Sequence, residues 1–285
     1  MAAELHVHLE GSVDPESLGL PRPSFRNFQG FIETYKAIVR KLETPEDYAR
    51  ITSTMLAQMT SESIDYAEVT LSAGVVLWKS QDLHSTYRAI RGACLAYPGI
   101  CVKWCFDAVR QFGEEAAMRV AEIAAEFRDE GVISFGIGGD ECAGPARLFG
   151  DVFAFARRKG LRLTAHAGET AGPDSVWEAL RIGAERIGHG IGAVDDSDLL
   201  THLRVNNVPL EICITSNVRT GAVPNIGAHP IRRLFDAGVP ITLNTDDPAI
   251  FETTLRREFE IARREFGFSE PELKTVAENA YRYAF

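Results

Sequence analysis

The chain has 285 residues and a mass of 31.4 kDa, enough for one large domain or two ordinary ones. Its 45% hydrophobic content and mean hydropathy of −0.08 allow a substantial core and exclude an intrinsically disordered chain. Thirty Lys and Arg against 40 Asp and Glu leave a net charge of −10 with no compensating basic patch, so neither nucleic acid nor a membrane surface is expected as a partner.

Met-Ala-Ala-Glu-Leu-His at the start lacks the basic and apolar regions of a secretory signal, and no run approaches the roughly 20 apolar residues of a membrane span. A cytoplasmic protein is expected. Five cysteines, an odd number in dissimilar contexts, read as reduced, buried thiols and not as a disulfide framework. Oligomeric state is not legible.

Short apolar runs with strand character occur at Glu4–His8, Ile64–Leu71, Cys101–Phe106, Val132–Gly138, Arg162–His166, Arg186–Gly188, Val208–Cys213 and Pro240–Asn244. Segments with helical periodicity fall between most of them, at Pro45–Met59, His84–Ala96, Glu114–Glu130, Ala146–Lys159, Ser175–Gly183, Ser197–Val205 and Pro230–Ala237. In Glu114–Glu130 the apolar stripe is Ala117, Val120, Ala121, Ala124 and Phe127. Glycines 131, 160, 183 and 238 close helices just before strands, while Thr44-Pro45-Glu46-Asp47 and Asp174 supply capping chemistry. Two more helices are expected near Glu252–Phe266 and Glu270–Ala284.

Eight strands alternating with helices over roughly 250 residues predict an α/β fold, a (β/α)8 TIM barrel in a single domain spanning 1–285. A doubly wound sheet would need a glycine-rich first turn, and Leu9-Glu10-Gly11-Ser12 has one glycine. The irregular stretch Ser12–Leu42 carries Phe25, Phe28 and Phe31 at spacings of three. That stripe reads either as a helix face on the core or as part of a lid, since it follows the first strand at the active end of such a barrel.

Reactive side chains collect at strand ends. His6 and His8 are two apart and share one face of the first strand. His166-Ala167-Gly168-Glu169 ends the fifth, Arg186-Ile187-Gly188-His189-Gly190 the sixth and Asn244-Thr245-Asp246-Asp247-Pro248 the eighth. Neighbouring imidazoles in an apolar interior and adjacent aspartates are both costly without a cation, and a divalent metal satisfies both. His84, His202 and His229 fall in or beside helices and read as surface or capping residues.

His-Val-His-Leu-Glu-Gly, His-Ala-Gly-Glu, Arg-Ile-Gly-His-Gly and Asn-Thr-Asp-Asp-Pro, in that order, resemble the signature blocks of the adenosine deaminase family within the amidohydrolase superfamily. Gly138-Gly139-Asp140-Glu141 resembles its substrate loop, and Thr215-Ser216-Asn217 another block. The resemblance implies that His6, His8, His166 and Asp246 ligate one zinc ion, with iron or manganese as substitutes that the same donors accept. It implies that Glu169 protonates a purine ring nitrogen and that His189 assists deprotonation of the metal-bound water and steadies the hydroxide. Asp247 would hold the imidazole edge of the purine as an acceptor, the Gly139 backbone N–H its pyrimidine edge, and Glu10 the ribose. Such an enzyme would release ammonia from a small 6-aminopurine substrate. Val132–Gly139 lacks the lysine or acid that bridges paired metals in related barrels, and no Pro-Cys-x-x-Cys pair of the cytidine-type zinc deaminases is present.

Glu10 replaces the aspartate usual in adenosine deaminases, Thr70 stands where an arginine is common, and 12–42 is a shortened lid segment. A shorter lid predicts an open sugar end and a substrate with a bulky group there, such as 6-amino-6-deoxyfutalosine; adenosine is equally compatible. The alternatives are free adenine deamination, another mononuclear amidohydrolase reaction, or a non-catalytic barrel.

Overall fold

A computed structural model describes residues 2–285. Strand β1 (Ala2–His8) runs into two short 3-10 turns, then α1 (Phe28–Lys41), α2 (Pro45–Ser61), β2 (Ile64–Leu71), α3 (Ala73–Trp78) and α4 (Leu83–Cys94). The middle of the chain is β3 (Cys101–Val109), α5 (Gly113–Glu126), β4 (Val132–Gly138), α6 (Gly150–Arg158), β5 (Arg162–Ala167) and α7 (Gly172–Ile182). It closes with β6 (Arg186–His189), α8 (Ser197–Val205), β7 (Leu210–Ile212), α9 (Ile214–Arg219), α10 (Ile231–Asp236), β8 (Ile241–Leu243), α11 (Pro248–Phe251), α12 (Leu255–Phe266) and α13 (Glu270–Arg282).

The strands form one parallel sheet in the order β1 to β8, and the helices shield its outer face, as expected of a (β/α)8 barrel. The seam between β8 and β1 is not an ordinary ladder. Val7 and Asp246 form a single parallel bridge, with His8 N–H donating to the Asp246 carbonyl at 2.7 Å. Below it the Asn244 side-chain oxygen accepts from the N–H groups of Leu5 and His6 at 2.9 and 3.1 Å. A side chain thus substitutes for backbone pairing where the barrel closes, and it anchors the segment that presents His6.

Local sequence explains most elements. Thr44 and Asp47 form a reciprocal capping box at the start of α2, with Pro45 in the first turn. The α5 stripe is buried as its spacing predicts, from Ala117 through Phe127. The regular helix stops at Glu126, however, and Arg128–Glu130 is a 3-10 turn that tightens the chain into Gly131. Asp174 caps nothing: α7 begins two residues earlier, which puts Asp174 inside its first turn.

Four helices exceed the expectation, one of them the single turn α11 that follows β8. The stretch read as irregular contains α1, capped by Asn27, and α3 and α9 are short helices that directly follow β2 and β7. The Phe stripe lies on a helix that packs on the core and borders the cavity. Phe31 is buried against Phe251 with stacked rings 5.1 Å apart, while Phe28 and Phe31 also line the central cavity. The thiols divide: Cys105 and Cys213 are buried, Cys94 is half-buried, and Cys101 and Cys142 are exposed, because they sit at the entrance of β3 and in a surface turn. Among the described residues no helix is long and apolar enough to cross a membrane.

Removing the N-cap oxygen in Thr44→Ala should destabilise the fold by about 1 kcal/mol. Urea denaturation would show it as a lower midpoint at unchanged m-value.

Candidate active site and metal centre

The carboxyl ends of the strands surround a cavity of about 540 Å³. His8, His166, Glu169, His189, Asp246 and Asp247 form its floor, Gly139 and Asp107 one wall, and α1 with Trp78 and Phe112 its outer mouth. Seven of the nine residues expected at the site line the cavity, six of them on its floor and Gly139 from the β4 end. His6 lies just beneath, 3% exposed.

The geometry of the floor fits one ion. His8 Nε2 is 3.2 Å from His166 Nε2, and both His6 Nε2 and His8 Nε2 are 3.3 Å from Asp246 Oδ1. Bonds of about 2.0 Å to a tetrahedral ion place donor atoms about 3.3 Å apart. His6 Nε2 is buried with no hydrogen-bond partner, while its Nδ1 lies 2.7 Å from Glu211 Oε2. A carboxylate on the far nitrogen is the usual way to orient a metal-binding imidazole. His189 also lies in the cluster, its Nε2 4.0 Å from Asp246 Oδ2, and it offers a donor atom within 4.8 Å of those of His6, His166 and Asp246. His6, His166 and Asp246 are therefore common to two possible ligand sets, completed either by His8 or by His189, and the cluster as a whole is suited to holding a metal ion.

Charge follows the same plan. Burial draws His6 down, but Asp246 and Glu211 on either side raise it to about 10, so this spot calls for positive charge. Burial and the surrounding imidazoles hold His166 well below its usual range. Burial would raise Asp246, yet the His6 and His8 imidazoles, each 3.3 Å from its Oδ1, hold it well below the usual carboxylate range. Asp247 lacks those partners; burial and then the Asp246 charge push it well above that range. Burial, Asp246 and Glu141 raise Glu169 to about 8.

Two glycines of the motifs are explained by close approach. A Cβ at Gly188 would sit 2.7 Å from His6 Cε1, and one at Gly11 would fall 1.7 Å from Asp247 Oδ1. His189 and Asp246 both adopt left-handed backbone, with φ of 61° and 65°. Non-glycine residues rarely do so, and such strain clusters at functional sites.

Glu10 departs from its expected place. The 3-10 turn Glu10–Ser12 folds it beneath the wall, where it is fully buried and does not line the cavity. Its Oε1 accepts from Ser72 N–H at 3.1 Å, and Ser72 and Tyr35, joined at 2.6 Å, stand on the cavity side. His229 is also displaced from its reading as a surface residue. It does cap α10, with Nδ1 accepting from Ile231 N–H, but it is 4% exposed and its other nitrogen contacts Asn217. His84 and His202 remain peripheral, beside Glu126 and Trp177. The cation absent at Thr70 is supplied at the mouth by Lys36 and Arg40 of α1 and by Lys79.

Several supporting residues escaped sequence reasoning. The Glu141 carboxylate accepts from the N–H groups of Gly168, Glu169 and Thr170 at 2.7–2.9 Å and from the Ser175 hydroxyl, which fixes the loop that carries Glu169. Arg110, 2% exposed, donates to the carbonyls of Gly144 and His166. Asp107 at the end of β3 is pushed up to about 7 by burial. Glu141 lay inside a recognised block; Arg110 and Asp107 carried no signal.

The sequence profile described as "Adenosine deaminase" matches residues 22–285. An aminodeoxyfutalosine deaminase of Streptomyces coelicolor is 38% identical over 99% of this chain and 79% of its own length. An adenine deaminase of Rhizobium leguminosarum bv. trifolii is 34% identical over 99% of this chain and 94% of its own. Among solved structures, the adenine deaminase of Arthrobacter aurescens superposes with a TM-score of 0.90 at 28% identity, covering 100% of this chain and 93% of that one. An amidohydrolase from Burkholderia ambifaria, solved with bound Zn, gives a TM-score of 0.89 at 25% identity over 99% and 85%.

Elemental analysis of variants separates the two ligand sets that the cluster allows. His8→Ala should lose the ion and His189→Ala retain it at native stoichiometry. The reverse pattern would exchange the two assignments.

Proposed function

Because the chain belongs to the adenosine deaminase family, we propose that it is a zinc-dependent hydrolytic deaminase of a 6-aminopurine nucleoside, either adenosine or one with a 5′ extension. The observation that carries this reading is the convergence of Glu169, Asp247 and the His/Asp cluster suited to a metal ion in one cavity, where burial raises both of the flanking carboxyls above their usual range. When bound, the ion supplies the Lewis acidity that activates water near neutral pH.

The chain's own groups meet the remaining demands of the reaction. Addition of water to the amine-bearing carbon breaks ring aromaticity, so the adjacent ring nitrogen must take a proton. Glu169 holds one up to about pH 8 and is steadied by the Thr220 hydroxyl, which donates to its Oε1 at 3.2 Å. Asp247 serves the imidazole edge of the purine, its carboxyl raised above the usual range by burial and then by the Asp246 charge. Gly139 N–H serves the pyrimidine edge, and its neighbour Gln111 shares that wall. Glu10 acts from beneath by holding Ser72 and Tyr35, which face the sugar position.

The cavity continues past the purine site to the surface, which supports a substrate with a group beyond the sugar. The segment 12–42 acts as its short lid through α1. At the mouth Trp78, 65% exposed, stacks on Phe112 with centroids 5.7 Å apart and 13° between planes. With Arg40 and Lys36 alongside, this shelf suits an aromatic group bearing negative charge, as in aminodeoxyfutalosine. Free adenine is the second reading, favoured by the burial of Glu10, which leaves no carboxylate at the sugar.

Glu169→Gln should lower kcat by roughly 10²- to 10⁴-fold while the metal content stays native. Steady-state ammonia release from adenine, adenosine, 5′-methylthioadenosine and aminodeoxyfutalosine separates the substrate readings. We expect the extended nucleoside to give the highest kcat/KM, and Trp78→Ala to raise KM for it alone. Highest kcat/KM on adenine would place the sugar end outside the site's function.

A further inference from the structure

Asn217, of the Thr215-Ser216-Asn217 block, and His229 have no part in the chemistry above, yet they make a continuous hydrogen-bonded line to His189. Its outer end is unambiguous. Ile231 N–H, the first backbone donor of α10, points at His229 Nδ1 at 3.2 Å. A backbone N–H only donates, so His229 Nδ1 accepts and a neutral His229 carries its proton on Nε2. Burial keeps that ring neutral, pushing it down to about 3.

His229 Nε2 lies 3.2 Å from Asn217 Oδ1, so the ring donates to the carboxamide oxygen and fixes which way the amide faces. The Asn217 Nδ2 group is then turned inward, 3.0 Å from His189 Nδ1. An N–H donor there requires an unprotonated acceptor. His189 therefore bears its proton on Nε2, the nitrogen 3.7 Å from Glu169 Oε2 and 4.0 Å from Asp246 Oδ2. None of the relay side chains reaches solvent: Asn217 is fully buried, with His189 1% and His229 4% exposed.

We propose that Asn217 and His229 are positioning residues that lock His189 in its Nε2–H tautomer, making it a hydrogen-bond donor into the space between Glu169 and Asp246 instead of a base at that nitrogen. The catalytic meaning rests on the deaminase reading above, but the tautomer does not. A single wrong proton on a ring of this kind is costly even when every atom stays in place, as the Asp-to-Asn exchange behind a triad histidine illustrates.

The test is nitrogen NMR on the full-length, zinc-loaded protein labelled with [15N]histidine, the His189 signals being assigned by their loss in His189→Gln. We expect a proton-bearing Nε2 and a bare Nδ1. Asn217→Asp places a carboxylate at Nδ1 and should draw the proton there, with kcat falling by roughly 10²-fold and KM little changed. His229→Leu frees the amide to turn and should give mixed tautomers, whereas His229→Gln keeps an N–H donor and should preserve the native signals. A proton on Nδ1 of the unaltered protein overturns the proposal, as do native His189 signals in both Asn217→Asp and His229→Leu. Native signals that shift as expected in a protein that releases no ammonia from any aminopurine would leave the tautomer lock standing and sink the deaminase reading alone.

Discussion

Two carboxylates are buried in the barrel interior against a single guanidinium, and the placement of His6 follows from that balance. Arg186 Nε donates to Glu211 Oε1 at 2.6 Å and an Nη to Glu68 Oε2 at 2.5 Å. Burial alone would raise Glu211, but Arg186 and then His6 hold it below the usual range, so it stays a full acceptor for His6 Nδ1. A buried ion pair of this kind contributes little net stability, whereas loss of one partner strands the other at a cost of about 3–5 kcal/mol. What the triad secures is orientation: with Nδ1 occupied, His6 has only Nε2 to offer the ion. The aromatic residues at the chain's end pack here too. Phe285 lies 3.6 Å from the Arg186 guanidinium, its N–H donates to Glu68 Oε1 at 2.7 Å, and the Tyr283 carbonyl accepts from Arg186.

Above this base the backbone itself is bent to the site's needs. His189 and Asp246 each sit in the left-handed region at a cost of order 1–3 kcal/mol. The turn after Asp246 separates two adjacent aspartates in environment, and the turn at His189 aims one ring nitrogen at Asn217 and the other at the cavity. The bridge between Val7 and Asp246 ties the strained residue to the seam of the barrel, so closure of the sheet and assembly of the ligand set are one event.

The barrel was legible because alternation of strands and helices leaves two different periodicities, and because positive-φ glycines such as Gly183 punctuate them. The motif residues were legible for a different reason: imidazoles and carboxylates are improbable at the ends of buried strands unless they share an ion. Helix α1 was not, since prolines dominate the start of its segment and its Phe spacing suits either a core face or a lid; in the structure it packs on the core and borders the cavity. Glu10 was misplaced because one 3-10 turn, invisible to a pattern of alternating residues, carries it under the wall. His229 was misjudged for want of any local cue: its importance comes from Asn217, twelve residues away in sequence and adjacent only in space.

Three of the carboxyl groups that line the cavity lie at its floor, and environment alone sets them apart. Asp246 lies against two imidazoles and is held well below the usual range; Asp247, its chain neighbour, has none of those neighbours at its carboxyl and meets the Asp246 charge instead; Glu169 meets the same charge from across the cavity. One negative charge thus suppresses two others, which is how a site at neutral pH retains both a metal ligand and proton donors. A bound cation would ease that suppression by neutralising Asp246, so the apolar walls matter as much as the charge: burial is the first cause for both Glu169 and Asp247. Phe31, Val75 and Phe112 around the mouth keep those acids from bulk water, and a relay that gives His189 a donor nitrogen avoids adding a base that could take the Glu169 proton. The barrel supplies convergence, but the chemistry depends on which of these groups is kept from losing its proton.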